Sequence, residues 1–277
     1  EDEAELAFII CHEAIHYKNN HHFEAYNRKK ELDADKGRMT NSDDKLKNMR
    51  RYEKEQELEA DKLGLQIFLK SPYAFKGIER TFDMLLYSYL PFDDIAFNHN
   101  YFNDSNYIMP SDYFPLAVRE IVSKEKVSDA ESTHPNVHKR KTVVQRILEE
   151  TDPRNGIDYI GSRAEFLRIR RIARCEVAHI NLRDGEYVEA FYNAYLLEQM
   201  YGKTYYSDKI MASSLYTIAK VKNDAYEKNR KLKMRGFKIS SYAGSASPAW
   251  EKIEGESQAA HHFFYKIPAL EMNILAA

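Results

Sequence analysis

Two short motifs near the start of the chain hold residue types that can bind a catalytic metal ion. The first is His12-Glu13-Ala14-Ile15-His16, which has the pattern HExxH. On a helix, residues four apart lie one turn apart on the same face, so His12 and His16 can reach one ion. Glu13 lies beside that face and can act as a general base on a water molecule. The motif therefore predicts metal-dependent hydrolysis.

A second motif further along the chain supplies two carboxylates at helical spacing. It runs Glu57-Leu58-Glu59-Ala60-Asp61, and Glu57 and Asp61 are predicted to share a helical face. A catalytic zinc ion commonly takes two histidines and one glutamate and leaves one position for water. Histidine ligands usually donate their other ring N–H to a carboxylate. Glu57 is therefore predicted to be the third ligand, and Asp61 the carboxylate that orients a ligating histidine.

The residues around the first motif are apolar, which sharpens the choice between two interpretations. Leu6, Phe8, Ile9, Ile10 and Ile15 indicate a helix that is largely buried. Two histidines and a glutamate on a buried helix are costly unless they are paired or bind a metal ion. The alternative is a core helix whose histidines find ordinary hydrogen bonds. That alternative predicts a protein without bound metal.

A third element consists of Ser132-Thr133-His134-Pro135 with Arg140 shortly after it. A residue before proline avoids the helical conformation, so this stretch alone indicates only a turn and the entry to a helix.

Together, the three motifs resemble one family of zinc metallopeptidases. It includes the bacterial heat-shock protease HtpX, the CAAX prenyl proteases and periplasmic chaperone-proteases. The resemblance covers roughly residues 1–150 and follows the family's order. It is carried by Glu5-Leu6-Ala7, the HExxH motif with His21 five residues beyond it, Glu57-x-Glu59-Ala60-Asp61-x-x-Gly64, and Ser132-Thr133-His134-Pro135 with Arg140.

The resemblance implies a zinc-dependent endopeptidase with one Zn2+ per chain and a protein or peptide substrate. In the implied site, zinc is held by His12, His16 and Glu57, and Glu13 is the general base. Asp61 and Arg140 lie just outside the ligands. His134 stabilises the tetrahedral intermediate. Family members usually have a strand before the HExxH helix, with which the substrate chain pairs. Here that helix begins almost at residue 1. We therefore expect the strand, and any signal peptide or membrane anchor, to lie upstream.

Composition limits the classes of partner and environment. The chain has 277 residues, a 43% hydrophobic fraction and a formal net charge of −2, so nucleic acid is not predicted as a partner. No apolar stretch approaches the ~20 residues that span a bilayer, so the chain resembles the soluble branch of the family. For such a member the resemblance suggests the bacterial periplasm or cell envelope, with the cytoplasm as the alternative. A disulfide between Cys11 and Cys175 stays open.

Residues 1–150 are predicted to form a mainly α-helical, zincin-like metallopeptidase domain. Any sheet in it would be small or lie upstream. Periodicity and breakers predict helices over 1–22, 50–70, 73–90 and 136–150, a solvated loop and helix over the charged stretch 24–56, and a long irregular segment over 91–115.

Residues 151–277 are predicted to form a second, α-helical domain after a boundary at 151–162. Helices over 163–182, 186–200 and 206–222 resemble tetratricopeptide-type (TPR-like) repeats, and a plain helical bundle is the alternative. The tail from Gly236 is predicted to be irregular. In it, His261-His262 and the aromatic residues after them are interpreted as packing residues. A chaperone-like protein that binds partners through these helices, with a latent zinc site, is the alternative function.

Overall fold

The computed structural model describes residues 2–35, 42–122, 136–151, 156–234 and 250–277. This part of the chain forms ten α-helices and three short 3-10 helices. It contains no sheet, since its extended residues pair only in an isolated parallel bridge between Tyr73 and Ile157. The predicted mainly α-helical fold is confirmed. Within the same residues, no helix has the length and apolar content needed to cross a membrane.

The first of two compact units comprises Glu1–Ser88 and Ser123–Leu167. Its helices are α1 (Glu3–Lys18), α2 (His21–Asp35), α3 (Ser42–Phe68), α4 (Ile78–Leu86) and α5 (Val137–Glu149). Helix α1 packs along α3. Helix α4 contacts α1, α5 contacts α3, and α4 and α5 contact each other. Two of the predicted helices, 73–90 and 136–150, correspond to α4 and α5.

Helix α1 begins at a capping box that also ties it to α4. The Asp2 side chain accepts a hydrogen bond from the backbone N–H of Glu5, and the Glu5 side chain accepts one from the backbone N–H of Asp2. This arrangement satisfies donors that a helix start leaves free. Arg80 of α4 donates to both carboxylates, with Nε 2.6 Å from Glu5 Oε1. The start of the HExxH helix is therefore fixed from two directions.

An apolar core lies under the same helix. Phe8 of α1 contacts Phe68 of α3 edge-on and Phe82 of α4 at a tilt, with ring centroids about 6 Å apart. The buried residues of this core are Ala4, Phe8, Leu65, Phe68, Tyr73, Ile78, Phe82 and Val144. Buried aromatic rings of this kind dominate the packing free energy of a small core. They hold α1, α3 and α4 in a fixed register next to the two histidines.

The charged stretch 24–56 differs from its prediction. In place of a loop followed by a helix over 50–70, α2 extends to Asp35 and α3 already begins at Ser42. Lys, Glu and Arg are good helix formers, so an exposed helix needs few apolar residues. An exposed pair one turn apart, Arg51 and Glu55, adds local support. The helix predicted in this stretch is present, the described residues 24–35 and 42–56 contain no loop, and residues 36–41 lie outside the described residues.

The second compact unit comprises Tyr89–Val122 and Arg168–Ala277. Its helices are α6 (Arg163–Asp184, which begins in the first unit), α7 (Tyr187–Tyr201), α8 (Tyr205–Met234), α9 (Ser257–Lys266) and α10 (Ala269–Ala276). Helix α7 packs along α8, and α10 packs on α8 through paired amide hydrogen bonds between Asn223 and Asn273. The assignment of 1–150 and 151–277 as separate domains stays a prediction.

Residues 89–122 form an irregular segment that packs into the core of the second unit. Phe97 and Phe114 are buried there against Phe263 of α9, and Phe97 also meets Tyr195 of α7. Tyr195 donates its hydroxyl hydrogen to the carbonyl oxygen of Ala96, which has no helical partner. The predicted irregular segment over 91–115 is therefore a packed loop within this unit.

The predicted irregular tail is wrong for its described part. From Ser257 the chain forms α9 and α10, whereas 235–249 lie outside the described residues. Phe263 and Phe264 lie in the core, which agrees with their interpretation as packing residues. The histidines also have partners, because His261 Nε2 lies 3.3 Å from Glu189 Oε1 of α7 and His262 Nδ1 lies 2.8 Å from a backbone carbonyl oxygen. A short buried helix of this kind has too little periodicity to be recognised from sequence.

Cys11 and Cys175 are both free thiols. Burial raises the pKa of both thiols above its ordinary value, so neither is activated as a thiolate.

Helices α1 and α3 approach each other closely at Gly64, and this contact generates a testable prediction. A Cβ atom at position 64 would lie 2.9 Å from the backbone N and Cα of His12. We expect Gly64→Ala to cost about 1–3 kcal/mol of folding free energy, because two helix backbones would have to separate. Thermal unfolding, together with hydrogen exchange of α1 and α3 amides, measures this loss. Gly161→Ala is the matched control, since its Cβ would meet only the flexible Glu165 side chain. Equal stability of the two variants would contradict the prediction.

Candidate metal centre

Helices α1 and α3 bring three ligating side chains together. His12 and His16 are buried one turn apart on α1, and their Nε2 atoms are 3.0 Å apart. Glu57 of α3 faces both, with Oε2 3.6 Å from His12 Nε2 and Oε1 3.6 Å from His16 Nε2. One ligand atom from each residue therefore lies within 4.8 Å of the others, as a shared metal ion requires.

The spacing of these atoms fits zinc. Ligand atoms placed tetrahedrally at the usual zinc distances are roughly 3.3 Å apart. The observed separations of 3.0 and 3.6 Å bracket that value. Two imidazole nitrogens and one carboxylate are also the donor set of a catalytic zinc ion that keeps a position open for water. Burial lowers the pKa of the His16 imidazole. The nearby Glu57 raises this pKa, His12 and His21 lower it, and the net shift is downward. The neutral ring is the form that binds metal.

Asp61 holds the outer side of His12. The carboxylate is fully buried on α3, and its Oδ1 lies 3.0 Å from His12 Nδ1. Burial alone would raise the pKa of Asp61, but hydrogen bonds from Arg140 and His12 lower it below its usual value. The residue is thus an ionised carboxylate in the protein interior. In this position it can fix the orientation and tautomer of His12.

Arg140 of α5 supplies the cation that a buried carboxylate needs. Its Nε and Nη2 each donate to a different oxygen of Asp61 at 2.7 Å, and its Nη1 lies 3.0 Å from Glu57 Oε2. Burial disfavours the charged guanidinium, yet the hydrogen bonds to Asp61 raise the pKa of Arg140 above its ordinary value. The paired geometry is the strong form of an arginine–carboxylate contact. Arg140 therefore connects α5 to the third predicted ligand as well as to Asp61.

A cavity of about 410 Å³ opens beside these residues within the first unit. Glu13 lies at this cavity on the exposed side of α1, next to the predicted ligands but outside their group. The lining residues are Phe8, Ile9, His12, Glu13, Glu57, Asp61, Thr81, Phe82, Leu85, Ser88, Val137 and Arg140. A molecule in this cavity would meet charged side chains, such as those of Glu13 and Glu57, as well as apolar side chains from α1 and α4.

The structure places the residues predicted from sequence as follows. It brings His12, His16, Glu57 and Asp61 together, with Arg140 added from α5. His134 and the rest of Ser132–Pro135 lie outside the described residues.

Sequence reasoning gave no role to two further residues at the centre. His21 is buried, and its Nδ1 lies 2.9 Å from His16 Nδ1. Glu59 lies beyond it, 3.5 Å from His21 Nε2. The only signals were the position of His21 five residues beyond the HExxH motif and the position of Glu59 inside the second motif.

The buried contact of Arg140 with Asp61 gives a second prediction. We expect Arg140→Met in the metal-free protein to lose about 3–5 kcal/mol of folding free energy, since Asp61 would keep a buried charge without its cation. Lys141→Met is the control, because Lys141 pairs with Asp83 near the surface and its loss should cost at most ~1 kcal/mol. Urea unfolding followed by circular dichroism, with hydrogen exchange of α3 and α5, measures both. A similar small loss in both variants would contradict the prediction.

Comparison with known proteins agrees with this geometry. Residues 1–148 match the family described as peptidase family M48. No curated protein and no solved structure matches the chain. The matched region contains all three residues of the candidate metal group, His12, His16 and Glu57. Because it spans 148 of 277 residues, the chain belongs to peptidase family M48, the zinc metallopeptidases of the HtpX type.

Proposed function

We propose that this protein is a zinc-dependent endopeptidase that hydrolyses peptide bonds of protein substrates. The observation that carries the proposal is the group of buried His12, buried His16 and half-buried Glu57 inside a family M48 region, with its ligand atoms spaced for one ion. A core helix with hydrogen-bonded histidines would not need a third, acidic residue facing both Nε2 atoms. Zinc in such a site polarises a substrate carbonyl and makes water a better nucleophile near neutral pH.

Glu13 is proposed as the general base. It lies one residue beyond His12 on the exposed side of α1 and lines the cavity, so a substrate and water can reach its carboxylate. In this role it takes a proton from the attacking water and later passes it to the leaving amine. Its neighbours His12 and His16 are buried, and His12 lines the same cavity as Glu13.

The cavity supports a preference for an apolar side chain next to the scissile bond. Phe8 and Ile9 of α1, with Phe82 and Leu85 of α4, contribute an apolar wall to the lining of this cavity. Such a wall binds an apolar group by removing it from water. A peptide whose residue beside the scissile bond is charged would have to leave that charge unpaired there.

Three finer expectations stay predictions. His134 is proposed to stabilise the developing oxyanion, a role that rests on the motif resemblance alone. The TPR-like character of the C-terminal helices and an exported location rest on the same resemblance. The alternative of a partner-binding protein with a latent site predicts bound zinc without turnover of any unfolded protein substrate.

Zinc content gives the first test of this proposal. We expect about one zinc per chain in the wild type and clearly less in Glu57→Ala, because that variant loses a ligand of the three. Elemental analysis of proteins purified side by side measures both. Glu55→Ala is the matched control, since Glu55 lies on the same helix and pairs with exposed Arg51. Absence of metal from the wild type, even after zinc is added back, would overturn the proposal.

Glu13→Gln separates metal binding from chemistry. The amide cannot accept the proton from water, so we expect cleavage of an unfolded protein substrate to fall by at least about a hundredfold. Zinc content should stay that of the wild type, because Glu13 is not a predicted ligand. Quantified peptide products and zinc analysis of the same samples give the two readouts. Wild-type cleavage by this variant would show that Glu13 is not the base.

A further inference from the structure

The outer nitrogen of His16 meets a second histidine instead of a carboxylate. Helix α1 ends at Lys18, and the chain turns through Asn19 and Asn20 into α2. Asn20 has φ +56°, a left-handed conformation that asparagine tolerates better than most residues. This tight turn places His21, the first residue of α2, against His16 with the two Nδ1 atoms 2.9 Å apart. His21 is only 4% exposed, so water does not compete for this contact.

The far side of His21 faces a carboxylate on α3. Glu59 Oε2 lies 3.5 Å from His21 Nε2. The other oxygen of Glu59 accepts a hydrogen bond from the Asn19 side chain, with Nδ2 and Oε1 3.2 Å apart. The turn that positions His21 thus also holds Glu59. His16, His21 and Glu59 form one continuous line of contacts that leads away from the metal group.

Proton positions along this line follow from the geometry. With an ion bound at His16 Nε2, that nitrogen carries no proton, so the proton of the neutral ring is on Nδ1. His16 Nδ1–H then donates to His21 Nδ1, which must be the unprotonated nitrogen of its ring. The remaining proton of His21 is on Nε2, the nitrogen that lies 3.5 Å from Glu59 Oε2. Every atom in the line has a compatible donor or acceptor role with both rings neutral.

We propose that His21 and Glu59 are positioning residues for the ligand His16. They fix its ring orientation and its metal-binding tautomer, as Asp61 does directly for His12. The inference rests on the proposed function only in requiring that the centre binds zinc. It gives a role to His21 and to Glu59, two residues that touch neither the cavity nor the predicted metal position.

Zinc affinity is the first readout. We expect His21→Ala to weaken zinc binding by about 10- to 100-fold, the usual effect of losing a partner of a ligating histidine. His21→Gln can still accept from His16 and donate to Glu59, so it should recover part of that loss. Glu59→Gln should weaken binding by a smaller factor, because its side chain is half exposed. Dissociation constants come from competition between the full-length protein and a chromophoric chelator.

The matched controls separate this effect from general damage. Glu55→Gln removes an exposed carboxylate one turn earlier on α3 and should leave zinc affinity unchanged. Thermal unfolding of each metal-free variant shows whether it folds. Glu59→Gln and His21→Gln keep the test valid if His21→Ala does not fold. Zinc affinity within twofold of the wild type in folded His21→Ala would overturn the proposal. If His21→Ala does not fold, the same result in Glu59→Gln would overturn it.

A spectroscopic signature tests the tautomers directly. In long-range nitrogen–proton spectra of the zinc-loaded wild type, we expect His16 protonated at Nδ1, and His21 protonated at Nε2 with Nδ1 bare. A proton on His21 Nδ1 would contradict the proposed line. Failure of this proposal is distinguishable from failure of the proposed function. Wild-type protein that binds zinc and cleaves substrate, with unaffected His21 and Glu59 variants, refutes only the positioning role.

Discussion

The first unit depends on one requirement, the neutralisation of a carboxylate with no exposure to solvent. Asp61 is ionised inside the protein, where paired hydrogen bonds from Arg140 and the nearby His12 stabilise its charge. These three residues come from α3, α5 and α1. An unpaired charge at this depth would cost several kcal/mol, so the three helices must meet where they do. The position of His12 relative to Glu57 is a consequence of that meeting.

Such an arrangement is poorly explained by stability alone. A buried ion pair seldom stabilises a fold more than apolar residues of the same volume would. The aromatic core of Phe8, Phe68 and Phe82 could hold α1, α3 and α4 without any buried charge. What the charged residues add is orientation: they leave two imidazole nitrogens and one carboxylate directed at a common point. A cation at that point would add positive charge beside the carboxylates, and this would offset the cost of burying these polar groups.

The sequence predicts the members of this centre better than it predicts their surroundings. His12 with His16, and Glu57 with Asp61, occupy helix faces that their spacing already defines, so local geometry is enough to group each pair, and the chemistry of a zinc site joins the two pairs. The contacts of Arg140 and His21 depend on how separate helices pack, and a single sequence does not encode such contacts in any local period. The same limit applies to residues 89–122. Their aromatic residues indicate burial, but only the fold shows that they are buried against α7 and α9.

The second unit contains residues 89–122 as well as the C-terminal helices, and this limits how the role of those helices can be studied. A fragment starting near residue 160 would keep α7 and α9 but lose Phe97, Met109 and Phe114, which are buried in the core of the second unit. Removing three large buried side chains costs roughly 8–15 kcal/mol, which is about the whole free energy of unfolding of a typical domain. The exposed aromatic and aliphatic surfaces that remained would bind other proteins nonspecifically. Partner binding by such a fragment would therefore say little about the native protein, and substitutions in the full chain are the sound comparison.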